Sequence, residues 1–211
     1  GRRMTGPAPI AVALDGPDLD TIVGWADQAG PFVSTMKIGL ETYLRDGDRA
    51  VHDVRNVTQG RDIFLDLKLH DIPNTVAGAA RSIAHLAPAY VTVHASGGSD
   101  MIRAAVEELP DTRVTAVTIL TSLDDVQLAA VGILGPALDA ARRLAELAVT
   151  AGARAIVCSP QEVAAIRSVV PDDVVLVTPG VRPAGADHGD QARVATPERA
   201  LADGADLLVI G

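Results

Sequence analysis

Short apolar runs recur along this chain, and each is followed by a turn and then by a stretch with helical spacing. Ile10–Leu14, Phe32–Ile38, Asp62–Lys68, Ala89–His94, Arg113–Leu120, Arg154–Cys158, Val174–Thr178 and Asp206–Gly211 read as eight strands. Runs of this length, bounded by Gly, Pro, Asp and Ser, suit buried strands better than helices. Helical patterns fall at 18–29, 41–58, 74–86 and 136–151, in stretches running to Leu109, Val169 and Asp203, with a connector at 123–135. Strands buried on both faces and joined by helical crossovers form a parallel sheet. Eight such units predict an α/β fold, a (β/α)8 TIM barrel spanning 1–211 as a single domain, with a doubly wound open sheet as the alternative. The eighth strand is the last element read, so the final helix of such a barrel is missing from the chain as given.

Composition narrows the function. A hydrophobic content of 48% supplies one large core, and only 2% of the residues are aromatic, so that core is built from Ala, Val, Leu and Ile. The net charge of −9 argues against nucleic acid and against anionic membranes as partners, since both select a basic face. A small anionic substrate is compatible with it if basic residues gather in one pocket. Cys158 is the single cysteine, which excludes an intrachain disulfide framework. No apolar run reaches the ~18 residues of a membrane helix, and Arg2-Arg3 is not followed by a hydrophobic signal region. The expected compartment is the cytoplasm.

The densest chemistry lies in Phe64-Leu65-Asp66-Leu67-Lys68-Leu69-His70-Asp71-Ile72-Pro73-Asn74-Thr75. A strand has a side-chain period of two, so Asp66 and Lys68 share one face and Leu65, Leu67 and Leu69 the other. Pro73 ends the extended run and Asn74-Thr75 opens a helix, which leaves Asp71 in the loop between them. An ammonium flanked by carboxylates is favoured in its charged form and can give a proton to a carbanion, while a neighbouring carboxylate crowds an anionic substrate group. The plain alternative is a solvated ion pair. Other polar residues fall at the same ends of their strands: Asp15, Lys37, His94, Thr121, Ser122, Arg182 and, closing the eighth, Gly211. Singly, each has an ordinary reading: Asp15 as a helix cap, Thr121 and Ser122 as caps, His94 as an interior histidine. In a barrel they converge on one rim, where active sites form. No clustered His or Asp ligand spacing and no cofactor motif accompanies them, so neither metal nor cofactor is expected.

The twelve-residue run, with its D-x-K-x-x-D core followed by I-P-N-T, resembles the orotidine 5′-phosphate decarboxylase family. The likeness extends to Ala13-Leu14-Asp15, Lys37-Ile38-Gly39, Val93-His94-Ala95, Leu120-Thr121-Ser122, Pro179-Gly180-Val181-Arg182 and Gly189-Asp190-Gln191. It implies decarboxylation of orotidine 5′-monophosphate to UMP, the last step of de novo pyrimidine biosynthesis, without metal or cofactor. It implies that Asp15 and Lys37 hold the ribose hydroxyls, and that Asp66, Lys68 and Asp71 form a charged network with Lys68 the proton donor. Thr121 and Ser122 would contact the pyrimidine, and Arg182 and Gln191 the phosphate, helped by the backbone at Gly211. In this family the second Asp and the I-P-N-T residues cross a homodimer interface, so Asp71, Ile72 and Thr75 would serve the partner's site. The segment 183–190 would be a lid closed by the phosphate. The family continues its eighth strand as Gly-Arg and a final helix, and the chain stops at Gly211.

Two rival functions remain on this reading: a Mg²⁺-dependent sugar-phosphate decarboxylase or aldolase of the wider D-x-K-x-x-D group, and a silent nucleotide-binding barrel. Lesser expectations are an inert core Cys158, a Trp25 packing its helix on the barrel, surface positions for His52, His85 and His188, and Ile72 and Val76 at the dimer interface; Ser96–Ser99 has the form of a phosphate-cradling turn, but a Gly pair after a strand is common and reads first as an ordinary turn.

Overall fold

A computed structural model of the chain describes residues 6–120, 123–182 and 195–211. Eight parallel strands close on themselves: β1 (Ala8–Ala13), β2 (Val33–Ile38), β3 (Asp62–Leu69), β4 (Tyr90–His94), β5 (Arg113–Val117), β6 (Ala155–Val157), β7 (Val175–Thr178) and β8 (Leu207–Ile210). The β1–β8 pair, with Ile10 opposite Leu208, seals the barrel, so no sheet edge is left open and the open-sheet alternative is excluded. The described helices are α1 (Leu19–Ala29), α2 (Leu40–Asp46), α3 (Asp48–Val57), α4 (Pro73–Ile83), α5 (Ser99–Glu108), α6 (Asp125–Ala130), α7 (Ala137–Thr150), α8 (Val163–Arg167) and α9 (Pro197–Ala202).

Two apolar layers hold the fold. The larger lies between the strands and the helices and takes one residue parity of each strand, such as Met36, Ile38, Ile63, Leu65, Val91, Val93, Ile156 and Leu176. The smaller fills the barrel interior with Ala11, Phe64, Tyr90, Ala155, Val177 and Leu207. Phe64 stacks on Tyr90 at 5.2 Å between ring centroids, and the Arg113 guanidinium lies 5.8 Å from the Tyr90 centroid. The interior is thus packed through its middle, below the C-terminal mouth where active sites of this fold form.

Local signals explain the boundaries and the departures from them. The Asp18 side chain caps α1 by accepting from the Thr21 N–H at 2.8 Å, which leaves Asp15 free of the capping role. Pro73 stands at the first position of α4, where its missing N–H costs nothing. The helical stretch 41–58 is broken into α2 and α3 because Gly47 takes φ +63°, with its N–H bonded to the Tyr43 carbonyl at 2.7 Å. Helix α6 arises inside the 123–135 connector, started by a capping box between Asp124 and Gln127. Trp25 is 42% exposed and its ring lies against Gly16, in the loop after β1; a Cβ at Gly16 would stand 2.7 Å from Ile22 and 3.0 Å from the Trp25 ring. Val76 is buried in the layer beneath α4 and belongs to this chain's own core, not to an interface. Among the described residues, no helix is long and apolar enough to cross a membrane.

Leu65 is fully buried between β3 and the helices. Leu65→Ala should cost about 2–5 kcal/mol of unfolding free energy in urea titration; a loss below about 1 kcal/mol would mean that this layer is loosely packed.

Candidate active site

A cavity of about 390 Å³ opens at the C-terminal mouth of the barrel. Its walls differ by half. From the first four strands and their loops come Asp15, Lys37, Asp66, Lys68 and Thr92; from the later ones come Val117, Ile119, Val157, Val177 and Val209, with Arg182 and Gly211 on the rim.

Asp15 leaves β1 on a backbone anchored at both sides. The Leu14 carbonyl accepts from the buried Thr42 hydroxyl at 2.7 Å, and the Gly16 carbonyl accepts from Arg45 at 2.6 Å. A side chain at Gly39 would come within 3.1 Å of Asp15 Oδ1 and 3.6 Å of Lys37 Nζ, so glycine keeps that space open.

Strand β3 carries the main irregularity of the sheet. Leu65 pairs with Val91 and Leu69 with Val93, so Asp66, Leu67 and Lys68 together stand opposite the single residue Thr92. Lys68 takes φ +48°, the one positive φ inside a strand among the described residues. For a residue with a Cβ that conformation costs about 1–2 kcal/mol. The expected faces survive the bulge: Leu65, Leu67 and Leu69 pack on the helix layer, and Asp66 and Lys68 line the cavity.

Within this chain the Asp66 carboxylate lies between two ammonium groups, those of Lys37 and Lys68. Asp66 Oδ2 accepts from Lys37 Nζ at 3.1 Å and from Lys68 Nζ at 2.9 Å. Asp66 Oδ1 accepts from Lys68 Nζ at 2.8 Å and from the Thr92 hydroxyl at 2.8 Å. Burial of Asp66 pushes its pKa up, but the charges of Lys37 and Lys68 and the hydrogen bonds from Lys68 and Thr92 outweigh it and hold the carboxyl below the usual carboxylate range. Asp71 is outside this cluster. It is exposed, with its Oδ1 accepting from the Ile72 N–H at 2.7 Å, and Ile72 and Thr75 are exposed beside it, all outside the cavity lining.

Arg182 reaches the rim from the β7 loop, its Nη1 donating to the Val181 carbonyl at 2.9 Å, and Gly211 lines the same cavity. Thr121, Ser122, Gln191, His188 and the 183–190 segment lie outside the described residues. His94 is half-buried, its ring 5.5 Å from that of His70; burial first, then His70 and Lys68, lower its pKa against a smaller opposing effect of Asp66. His52 and His85 are at the surface, where His85 pairs with Asp48 at 2.6 Å. Cys158 is fully buried and its thiol is pushed up to about 12 by that burial, which suits inert core. Ser96–Ser99 is away from the cavity lining. Among the described residues, no group of three or more His, Cys, Asp or Glu is placed to hold a metal ion. Sequence reasoning missed Thr92 and the apolar half of the wall. The signal for Thr92 was its parity with His94 in an otherwise apolar strand.

The family model described as "Orotidine 5'-phosphate decarboxylase / HUMPS family" matches residues 8–211. A protein of Thermobifida fusca named orotidine 5′-phosphate decarboxylase is 68% identical over 204 residues, covering 97% of this chain and 87% of that protein. One of Frankia casuarinae with the same name is 54% identical, covering 98% and 81%. Among solved structures, an uncharacterized conserved protein from Geobacillus kaustophilus superposes with a TM-score of 0.82 at 34% identity, covering 96% of this chain and 90% of that one. Orotidine 5′-phosphate decarboxylase from Lactobacillus acidophilus gives 0.80 at 35%, covering 96% and 89%.

A carboxylate whose folded pKa is depressed stabilises the fold above its unfolded value, and that stabilisation is lost as pH falls through the folded value. Asp66→Asn should therefore lower stability in denaturant titration at pH 7, and its deficit should shrink as the pH falls below about 4. A deficit independent of pH would mean that the Asp66 charge is not held by its neighbours.

Proposed function

Because the chain belongs to the orotidine 5′-phosphate decarboxylase / HUMPS family, we propose that it converts orotidine 5′-monophosphate to UMP and CO₂ in de novo pyrimidine biosynthesis. The observation that carries this reading is the Lys37–Asp66–Lys68 cluster in one cavity with Arg182, at the mouth of a barrel whose middle is filled. Breaking the bond from C6 to the carboxylate leaves its electron pair on C6, and a proton from Lys68 Nζ then completes the product. Positive charge fixed beside the developing carbanion, with an apolar wall opposite, is electrostatic preorganisation, which often contributes more to catalysis than any other effect. Crowding of the substrate carboxylate by Asp66 adds to the drive toward CO₂ loss.

In the same reading, Asp15 and Lys37 bind the ribose hydroxyls, and Thr121 and Ser122 the pyrimidine. Arg182, Gln191 and the Gly211 backbone bind the phosphate. That phosphate is remote from C6, and its binding energy is available to close the 183–190 segment and order the charged groups. The protein acts as a homodimer in which Asp71, Ile72 and Thr75 complete the partner's site. Their exposure outside this chain's own cavity supports that arrangement. Residues 1–211 form one barrel domain, and the enzyme works in the cytoplasm without metal.

Purified protein mixed with orotidine 5′-monophosphate and EDTA should show the ultraviolet change of conversion to UMP. No conversion, or turnover of sugar phosphates that EDTA abolishes, would overturn the assignment. Lys68→Ala should keep UMP affinity within about tenfold and lose turnover by at least about a thousandfold. Near-normal kcat in that variant would remove Lys68 as the donor.

A further inference from the structure

Thr92 is buried at 1% exposure in the wall of the cavity, and none of the roles in decarboxylation falls to it. It stands alone opposite the three bulged residues of β3. Such a bulge takes a backbone N–H out of the ladder, and a buried N–H without an acceptor is costly. Here the N–H is that of Lys68, and it donates to Thr92 Oγ1 at 2.9 Å. The same oxygen lies 2.8 Å from Asp66 Oδ1. A hydroxyl has one proton, and an ionised carboxylate only accepts. The Thr92 proton therefore goes to Asp66 and its lone pair to the Lys68 amide, so the direction of both bonds is fixed. One side chain thus ties the left-handed backbone of Lys68 to the carboxylate that receives the Lys68 ammonium at 2.8 Å. The β-branched Thr92 is stiff about χ1, so the tie is short and has little slack.

We propose that Thr92 is a positioning residue for Lys68, locking the β3 bulge and the Asp66 carboxylate into the one geometry that aims the Lys68 ammonium into the cavity. This rests on the decarboxylation reading, and it adds to it a residue on a neighbouring strand whose hydroxyl is engaged by Asp66 and the Lys68 amide. Val91 and Val93 flank Thr92 on the other face, packed in the helix layer, so Thr92 is held in the cavity wall by its strand.

Thr92→Val keeps the shape and removes the hydroxyl; Thr92→Ser keeps the hydroxyl and removes the methyl. With Thr92→Val, kcat should fall about 10- to 100-fold while UMP affinity stays within about threefold. Thr92→Ser should recover kcat to within about threefold of the parent. A packing role alone would reverse that order, since serine leaves the larger void. In a crystal structure of Thr92→Val, the Lys68 backbone should leave φ near +48° or the Asp66 carboxylate should rotate from Lys68. Thr92→Ala, with the same loss of the hydroxyl and an easier fit, carries both measurements if valine disturbs folding. The proposal is overturned if the hydroxyl-free variant keeps kcat within about twofold, or if Lys68 and Asp66 in its crystal structure superpose on the parent. Failure of the parent to convert the substrate strikes the decarboxylase reading instead, and the crystal comparison still decides the role of Thr92.

Discussion

The carboxylate of Asp66, gripped by the ammonium groups of Lys37 and Lys68, is the interaction around which this molecule is arranged. Burying a charge is costly unless it is paired and fully hydrogen-bonded. Asp66 is 8% exposed, yet both of its oxygens have two donors. Those donors come from β2, β3 and β4, three adjacent strands whose register brings the groups together. Closure of the barrel then sets this cluster over the same space as the ends of the later strands, which supply the opposite wall.

The barrel is also divided. Its first half supplies the charges and its second half a wall of valine and isoleucine. In such a setting water is partly excluded and each charge acts at longer range than in bulk solvent. The filling beneath, with Phe64 stacked on Tyr90, keeps the mouth shallow and holds the charged layer at a fixed depth. Strain appears at one functional position, the left-handed backbone of Lys68, where the surrounding bonds over-determine a conformation the residue would not choose alone.

Much of this was legible in the sequence. Apolar runs separated by turn residues gave the eight strands, because burial on both faces leaves a continuous apolar signature. The period of two placed Asp66 and Lys68 on the cavity side and the leucines outside, and that parity survived the bulge. What was not legible depended on contacts between distant segments. The lysine that pairs with Asp66 across strands, Lys37, is 29 positions away in the chain, and nothing local announces the bond. Asp71, which the resemblance assigns to the partner's site, is exposed in this chain. Thr92 looked like strand filler because threonine favours strands on its own account. Gly47 and Val76 escape a reading of periodicity for the same reason: a helical period does not say where a left-handed glycine ends a helix, nor which apolar residue the chain keeps for its own core.

If the Asp66 charge organises the chemistry as well as the structure, its removal must strike the chemical step and spare the grip on the product. The direct measurement is the single-turnover rate of Asp66→Asn with orotidine 5′-monophosphate, taken beside its affinity for UMP. The rate should fall by about a hundredfold or more while UMP affinity changes by less than about tenfold. A variant that decarboxylates within about tenfold of the parent rate would contradict the account.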